Sequence, residues 1–225
     1  AQPNEQLAAT FARSDYPPEL FVVMLTREGR IKKLSLSECA NLTGRGLMML
    51  KLGDEDTLLQ VALATQESFV VVATSAGRLL RFVCNETQLP VMSRTAVGLQ
   101  ALKLRKGESI IGMAVVAETD FLLLASRNGL LKRLKVSDLR LQERGGLATP
   151  VTVLGDRTDT LIALLGSLGS ERTALSTTSQ ERLLRLNFAG VSLRSRTEPA
   201  ERLEALETGE KLVGMTWAID GESEA

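Results

Sequence analysis

The chain writes one short motif four times. GRIKKL at Gly29 to Leu34 returns as GRLLRF at Gly77 to Phe82, as GLLKRL at Gly129 to Leu134 and as ERLLRL at Glu181 to Leu186, in steps of 48, 52 and 52 residues. A sustained period of this length is the mark of a repeat architecture, in which no unit can bury its apolar face alone. Three other runs keep the same period. A strand-like run ending in Thr or Ser comes before the motif: FVVMLT from Phe21, FVVVAT from Phe69, FLLLAS from Phe121 and a poorer copy, RTALSTT, from Arg172. A basic or glycine-rich loop comes after it: TGRGLMMLKL from Thr43, SRTAVGLQALKL from Ser93, QERGGLATPVTVL from Gln142 and RSRTEPAERLEAL from Arg194. The last run reads DTLLQVALAT from Asp56, ESIIGMAVVAE from Glu108, DTLIALLGSLG from Asp159 and EKLVGMTWAID from Glu210.

These runs are short, rich in Leu or β-branched residues, and bounded by Gly, Asn, Asp and Ser, so they read as strands. They are too short and too continuous for the helical period of an α-solenoid. TREG and SRNG place glycine where a tight hairpin needs positive φ. Gln180 and Glu181 stand there in the fourth copy, which predicts a looser hairpin. The expected fold is all-β, a propeller-like ring of about four four-stranded blades. With the last run read as preceding the first, unit one lacks it. The C-terminal copy, Lys211 to Ile219, is then expected to pair into unit one and close the ring, leaving no long sheet edge. Residues 1–19, with Pro3, Pro17 and Pro18, have no repeat partner and read as an arm or linker. Residues 20–219 form the repeat domain and 220–225 an acidic tail. The first residue is not Met, and the chain reads as part of a longer one.

The sequence contains no histidine. That removes Ser-His-Asp and Cys-His catalysis, histidine metal sites and histidine switches together. No metal or cofactor is expected, and the acids Asp54, Glu55 and Asp56 fall in an expected surface turn. Cys39 and Cys84 sit in no CxxC pair and read as free thiols of a reducing compartment. No apolar run reaches the roughly 18 residues of a membrane span, and the first twenty residues lack the basic start and apolar middle of a signal peptide.

Net charge is zero but uneven: residues 1–197 hold 25 Lys and Arg against 19 acids, and residues 198–225 hold two against eight. Such asymmetry fits a polyanion partner and an acidic segment competing with it. The repeat itself offers the cations. Lys33, Arg81, Arg133 and Arg185 are equivalent, each between apolar neighbours, and apolar packing alone does not demand a cation there. Lys32, Arg78, Lys132 and Arg182 stand beside them, and the following loops add Arg45, Lys51, Arg94, Lys103 and Arg144. A radial array would bring these residues to one rim, suited to sequence-independent phosphate contact. With no Gly-rich phosphate loop and no aromatic platform, single-strand stacking is not expected. On charge alone the same cations equally serve as solubilising edge charges.

The stretch from PPELFVVMLTREGRIKKL through FVVVATSAGRLLRF resembles the C-terminal domain of the gyrase A protein, and that of its topoisomerase IV counterpart, over about residues 17–219. The resemblance implies a β-pinwheel, a propeller-like disc whose blades exchange strands and whose basic outer edge bends double-stranded DNA. It implies a non-enzymatic domain of a type IIA DNA topoisomerase in a bacterial cytoplasm, or in an organelle of bacterial origin. Its partners would be DNA, the N-terminal cleavage domain of the same polypeptide and, through that, the ATPase-bearing gyrase B protein, with no membrane. Tyr16, in RSDYPP, is not in the context of the family's catalytic tyrosine. The family's Gln-Arg-Arg-Gly-Gly-Lys-Gly box is matched here by NLTGRGL, Asn41 to Leu47, which keeps only Gly44, Arg45 and Gly46. That departure points to bending rather than full wrapping and leaves gyrase against topoisomerase IV undecided. A protein-interaction propeller with no nucleic-acid role is the rival reading, and it accounts well for the zero net charge.

Overall fold

The computed structural model describes residues 8–10, 13–40, 46–156, 158–167 and 172–218. Fifteen strands follow one another: β1 (Phe21–Thr26), β2 (Arg30–Ser35), β3 (Leu58–Ala64), β4 (Phe69–Thr74), β5 (Arg78–Val83), β6 (Leu99–Gln100), β7 (Ile110–Val116), β8 (Phe121–Ser126), β9 (Leu130–Lys135), β10 (Thr149–Pro150), β11 (Leu161–Ser167), β12 (Thr173–Thr178), β13 (Leu183–Asn187), β14 (Glu201–Arg202) and β15 (Leu212–Trp217). They form four antiparallel blades, ordered β3-β1-β2-β6, β7-β4-β5-β10, β11-β8-β9-β14 and β15-β12-β13. The fold is all-β and pinwheel-like, as expected. Among the described residues three blades have four strands and the fourth has three.

Two details of the sequence reading are corrected. The last run of each repeat belongs to the hairpin before it: β3 returns antiparallel to β1, with Phe21 opposite Ala64. Unit one is therefore complete, and no spare strand exists among the described residues. The C-terminal run is β15, which pairs with β12 of the fourth blade, Ala174 opposite Trp217, and not with unit one. The second correction concerns the loops after the second, third and fourth motifs, each of which crosses to the preceding blade. β6 pairs with β2, β10 with β5 and β14 with β9, each as a two-residue outer strand. We call these crossing segments, 91–104, 141–154 and 193–206, and the equivalent segment 46–52, arms. Blade four has no outer strand among the described residues.

Burial follows the period-2 geometry of strands. Val23, Leu25 and Ile31 on one face of blade one meet Val70, Val72, Leu80 and Phe82 of blade two. Val71, Ala73 and Leu79 on the other face of blade two meet Leu122, Leu124 and Leu134 of blade three. Leu123, Ala125 and Leu131 then meet Ala174 and Phe188 of blade four. Three apolar seams between blades thus form most of the core, and a fourth cluster, Val22, Met24, Leu34 and Leu36, lies on the other face of blade one, against Met49 and Leu50 of the first arm. Strands β3, β7 and β11, with Trp217, line a central cavity of about 200 Å³, which puts the arms on the outside.

The expected loose hairpin in the fourth unit keeps its turn: Glu181 takes φ 59, the left-handed conformation that Gly29, Gly77 and Gly129 take in the others. Gly98 faces a different demand. Its φ is +95 and an added Cβ would lie 2.8 Å from the Ile31 carbonyl oxygen, whereas Gly107, at φ +81, has nothing within 4 Å. Gly98→Ala should therefore cost about 1–3 kcal/mol through strain plus the clash, and Gly107→Ala distinctly less. Urea unfolding of the two variants, with unchanged m, measures the difference.

Candidate nucleic-acid interface

Equivalent cations of the repeat do not line a rim. Lys33 and Arg81 are buried and Arg133 is half-buried, because β2, β5 and β9 aim these side chains across the seam into the next blade. Lys33 Nζ donates to the Cys84 carbonyl at 3.0 Å, beyond the end of β5. Arg81 Nη1 donates to the carbonyls of Val136 and Leu139 at 3.0 and 3.1 Å, beyond the end of β9. Arg133 Nη1 reaches the Phe188 carbonyl at 3.4 Å, beyond the end of β13. Each cation thus ties the blade that carries it to the chain leaving the next one. Outer carboxylates complete two of the three, Glu86 at 2.8 Å from Lys33 and Glu118 at 2.8 Å from Arg81. The hydrogen bond from Lys33 holds the Glu86 carboxyl below its usual range.

An aromatic ring backs each of these cations. Lys33 lies 4.6 Å from the centroid of Phe21, Arg81 4.0 Å from Phe69, and Arg133 5.8 Å from Phe121. The register explains the match. Val23 is opposite Lys33, so Phe21 is its diagonal neighbour on the same face, and the same offset recurs in units two and three. Desolvated cation–π contacts of this kind contribute about 2 kcal/mol. In unit four the ring position is Thr173, and Arg185 is exposed.

Lys32 and Lys132 are also buried, and both fasten an arm. Lys32 Nζ donates to the carbonyls of Met49, Arg94 and Ala96 at 2.7, 2.7 and 3.2 Å. Lys132 Nζ donates to those of Thr152, Arg196 and Glu198 at 3.0, 3.1 and 2.5 Å. Burial pushes the Lys132 ammonium down to about 8. Arg78 is buried 3.6 Å from Glu108. Arg144 is half-buried and spends its guanidinium on the Gln88 and Gln100 carbonyls. Arg182 is held by Glu207 and Glu210 at 2.7 and 2.9 Å.

Expected phosphate contacts at Lys32, Lys33, Arg78, Arg81 and Lys132 are thus corrected. A buried cation held by carbonyls or a carboxylate cannot meet a phosphate without dismantling the seam that holds it, and Arg78, whose guanidinium makes no hydrogen bond, is kept from solvent by burial beside Glu108. Arg133, Arg144 and Arg182 are largely committed in the same way, and Arg45 lies outside the described residues. The cation motif by itself does not show this, since a lysine between apolar neighbours looks the same on a rim and in a seam. What remains exposed is Lys51, Arg94, Lys103 and Arg185. Arg94 keeps a loose ion pair with Glu38 at 3.6 Å. Arg30, Arg105 and Lys106 are exposed as well, and the last two form with Lys103 a basic cluster that no repeat motif marks. Cys39 and Cys84 are free, as expected, and burial raises the Cys84 thiol to about 11. Among the described residues no helix is long and apolar enough to cross a membrane.

Residues 21–65, 68–117 and 120–165 each match the family model described as DNA gyrase C-terminal domain, beta-propeller. The gyrase A protein of Aminobacterium colombiense is 33% identical over 190 residues, covering 84% of this chain and 23% of that protein. The gyrase A protein of Staphylococcus epidermidis is 27% identical over 210 residues, covering 92% and 23%. The chain thus spans about a quarter of the length of these relatives. Two solved structures share the fold. The C-terminal domain of DNA topoisomerase IV superposes with a TM-score of 0.83 at 15% identity, over 96% of this chain and 67% of that one. The DNA gyrase A C-terminal domain gives 0.76 at 19%, over 92% and 68%.

The buried cations can be tested by stability. Arg81→Met removes the donor for two buried carbonyls and should cost about 2–4 kcal/mol. Arg185→Met, at the equivalent but exposed position, should stay within about 0.5 kcal/mol, both read by urea unfolding. For Lys132, both folded and unfolded chains hold the proton below about pH 8. Between there and the roughly 10.4 of an unfolded lysine only the unfolded chain holds it. Stability should therefore rise with pH across that window, and Lys132→Met should flatten the rise.

Proposed function

The chain belongs to the DNA gyrase C-terminal domain family, and from that membership we propose that it binds duplex DNA along the outside of its first three blades. The observation that carries this reading is the exposed cation set on the first two arms, Lys51, Arg94 and Lys103, with Arg30, Arg105 and Lys106 beside it. Cations on successive outer elements of a curved array suit the phosphates of a bent duplex. Contacts of that kind are independent of sequence and sensitive to salt. Bending a duplex costs several kcal/mol by elastic estimates, and several modest contacts offset it.

Unit four is the weak end of this path. Its arm carries Glu198, Glu201, Glu204 and, just beyond it, Glu207, and Arg194 is paired with Glu201 at 3.4 Å. In the whole enzyme this domain would be non-catalytic, presenting DNA to a cleavage domain that works with the ATPase-bearing gyrase B protein in the bacterial cytoplasm. The eroded box at Asn41 to Leu47 favours bending over chiral wrapping.

Binding of a fluorescent duplex, titrated against salt, tests the reading. Each lysine or arginine lost from a phosphate contact lowers the slope of log K against log salt by about 0.9. Changing Lys51, Arg94 and Lys103 together to Ala should reduce the slope by about 2–3 and leave stability nearly unchanged. Absence of binding by the unmodified chain even at low salt would leave the protein-interaction propeller as the better account. Sealing nicked circles in the presence of the protein separates the two modes of binding: bending leaves the linking number unchanged, and a protein-dependent shift would mean chiral wrapping.

A further inference from the structure

Among the described residues eleven large apolar side chains are exposed, and eight of them lie on the arms. Scattered exposed apolar residues are ordinary. These are not scattered, because the repeat places them. Val91, Leu141 and Leu193 occupy one equivalent position, each paired in parallel with the seam cation of the preceding blade. Val97 and Leu147 occupy another, 40% and 52% exposed.

That second position has a fixed neighbour. Lys103 forms a parallel bridge with Leu147, and its N–H donates to the Gly146 carbonyl at 2.9 Å. The Lys51 N–H donates to the Ala96 carbonyl at 3.4 Å, one residue from Val97. At two successive joints, then, an exposed lysine of one arm stands against an exposed aliphatic side chain of the next. At the third joint the pair is gone: Val153 holds the lysine position and is buried, and Pro199 follows Glu198.

We propose that these joints, Lys51 with Val97 and Lys103 with Leu147, are minor-groove contacts, the lysine on a phosphate and the aliphatic group between the sugar edges of the groove. The inference rests on the DNA-binding reading and names how the duplex is held. A cation alone needs no apolar partner at fixed spacing, and an apolar protein partner would not need the lysine. The duplex offers both chemistries side by side, phosphate at the groove's lip and deoxyribose within it. The path covers blades one to three and ends before the acidic fourth arm.

The test replaces Val97 and Leu147 together by Ser and measures duplex binding across a salt series. Both side chains are largely exposed, so folding should survive, and urea unfolding checks it. The expected result is a roughly tenfold loss of affinity at every salt concentration, with the salt slope unchanged, because apolar contact releases no counterions. Val97→Ile with Leu147→Met should restore binding. Filling the minor groove beforehand with a netropsin-type ligand should erase the difference between the Ser variant and the unmodified chain. Equal affinity of the Ser variant, a changed slope, or a difference that persists with the groove filled would each overturn the inference. Failure of the unmodified chain to bind any duplex would instead remove the DNA-binding reading beneath it.

Discussion

Everything else in this structure depends on a cation buried in the seam between blades, donating to the backbone of the next blade and stacked on an aromatic ring. Blades of this kind are thin. Each inner blade buries one apolar face against the blade before it and the other against the blade after it, so the seams form most of the core. A purely apolar seam would leave the carbonyls just past β5 and β9 without donors, and a buried carbonyl lacking a partner costs about 1–3 kcal/mol. Lys33 and Arg81 supply those donors, while Phe21 and Phe69 stand in for part of the water each cation has lost. Both cations keep an outer carboxylate, Glu86 and Glu118, so their charge is neutralised at the edge and does not remain alone in the seam.

Strand exchange adds a second tie. Each of the later arms crosses back to pair with the preceding blade, and Lys32 and Lys132 hold arm segments by three carbonyls apiece. In unit two the equivalent residue is Leu80, buried in the first seam. One position of the repeat thus takes either a saturated lysine or an apolar side chain. The fourth blade shows what happens when the device lapses. Thr173 replaces the ring, Arg185 turns out to solvent, no outer strand arrives among the described residues, and β13 alternates between exposed and half-buried residues. Its outer face is correspondingly more polar.

Much of the architecture was legible in the sequence. The period set four units and their hairpins, because turn glycines and alternating runs are local signals. Assignment of the last run to the wrong unit came from reading strands in chain order, where the blade is closed by a strand that returns past an intervening arm. The interface was less legible. The motif at Gly29 to Leu34 advertises Lys32 and Lys33, and a lysine in a strand reads as a surface charge until its carbonyl partners, 17 to 64 residues away, are known. A clue was present in the recurrence of Phe21, Phe69 and Phe121 at a constant offset from Lys33, Arg81 and Arg133. Repeated cations facing water have no need of a ring that repeats with them. Lys51 and Lys103 lie in the less regular loops, where nothing in the pattern sets them above their neighbours.

The central claim is a division of labour between two sets of cations, one holding the seams and one facing DNA. Lysine acetylation of the native protein, with and without duplex DNA and read residue by residue, tests it most directly. Lys51 and Lys103 should react readily in the free protein and be shielded by DNA, while Lys32, Lys33 and Lys132 stay unmodified in both until the chain is unfolded. Rapid acetylation of Lys33 in the native protein, shielded by added DNA, would return the repeated cation to the rim and contradict this account.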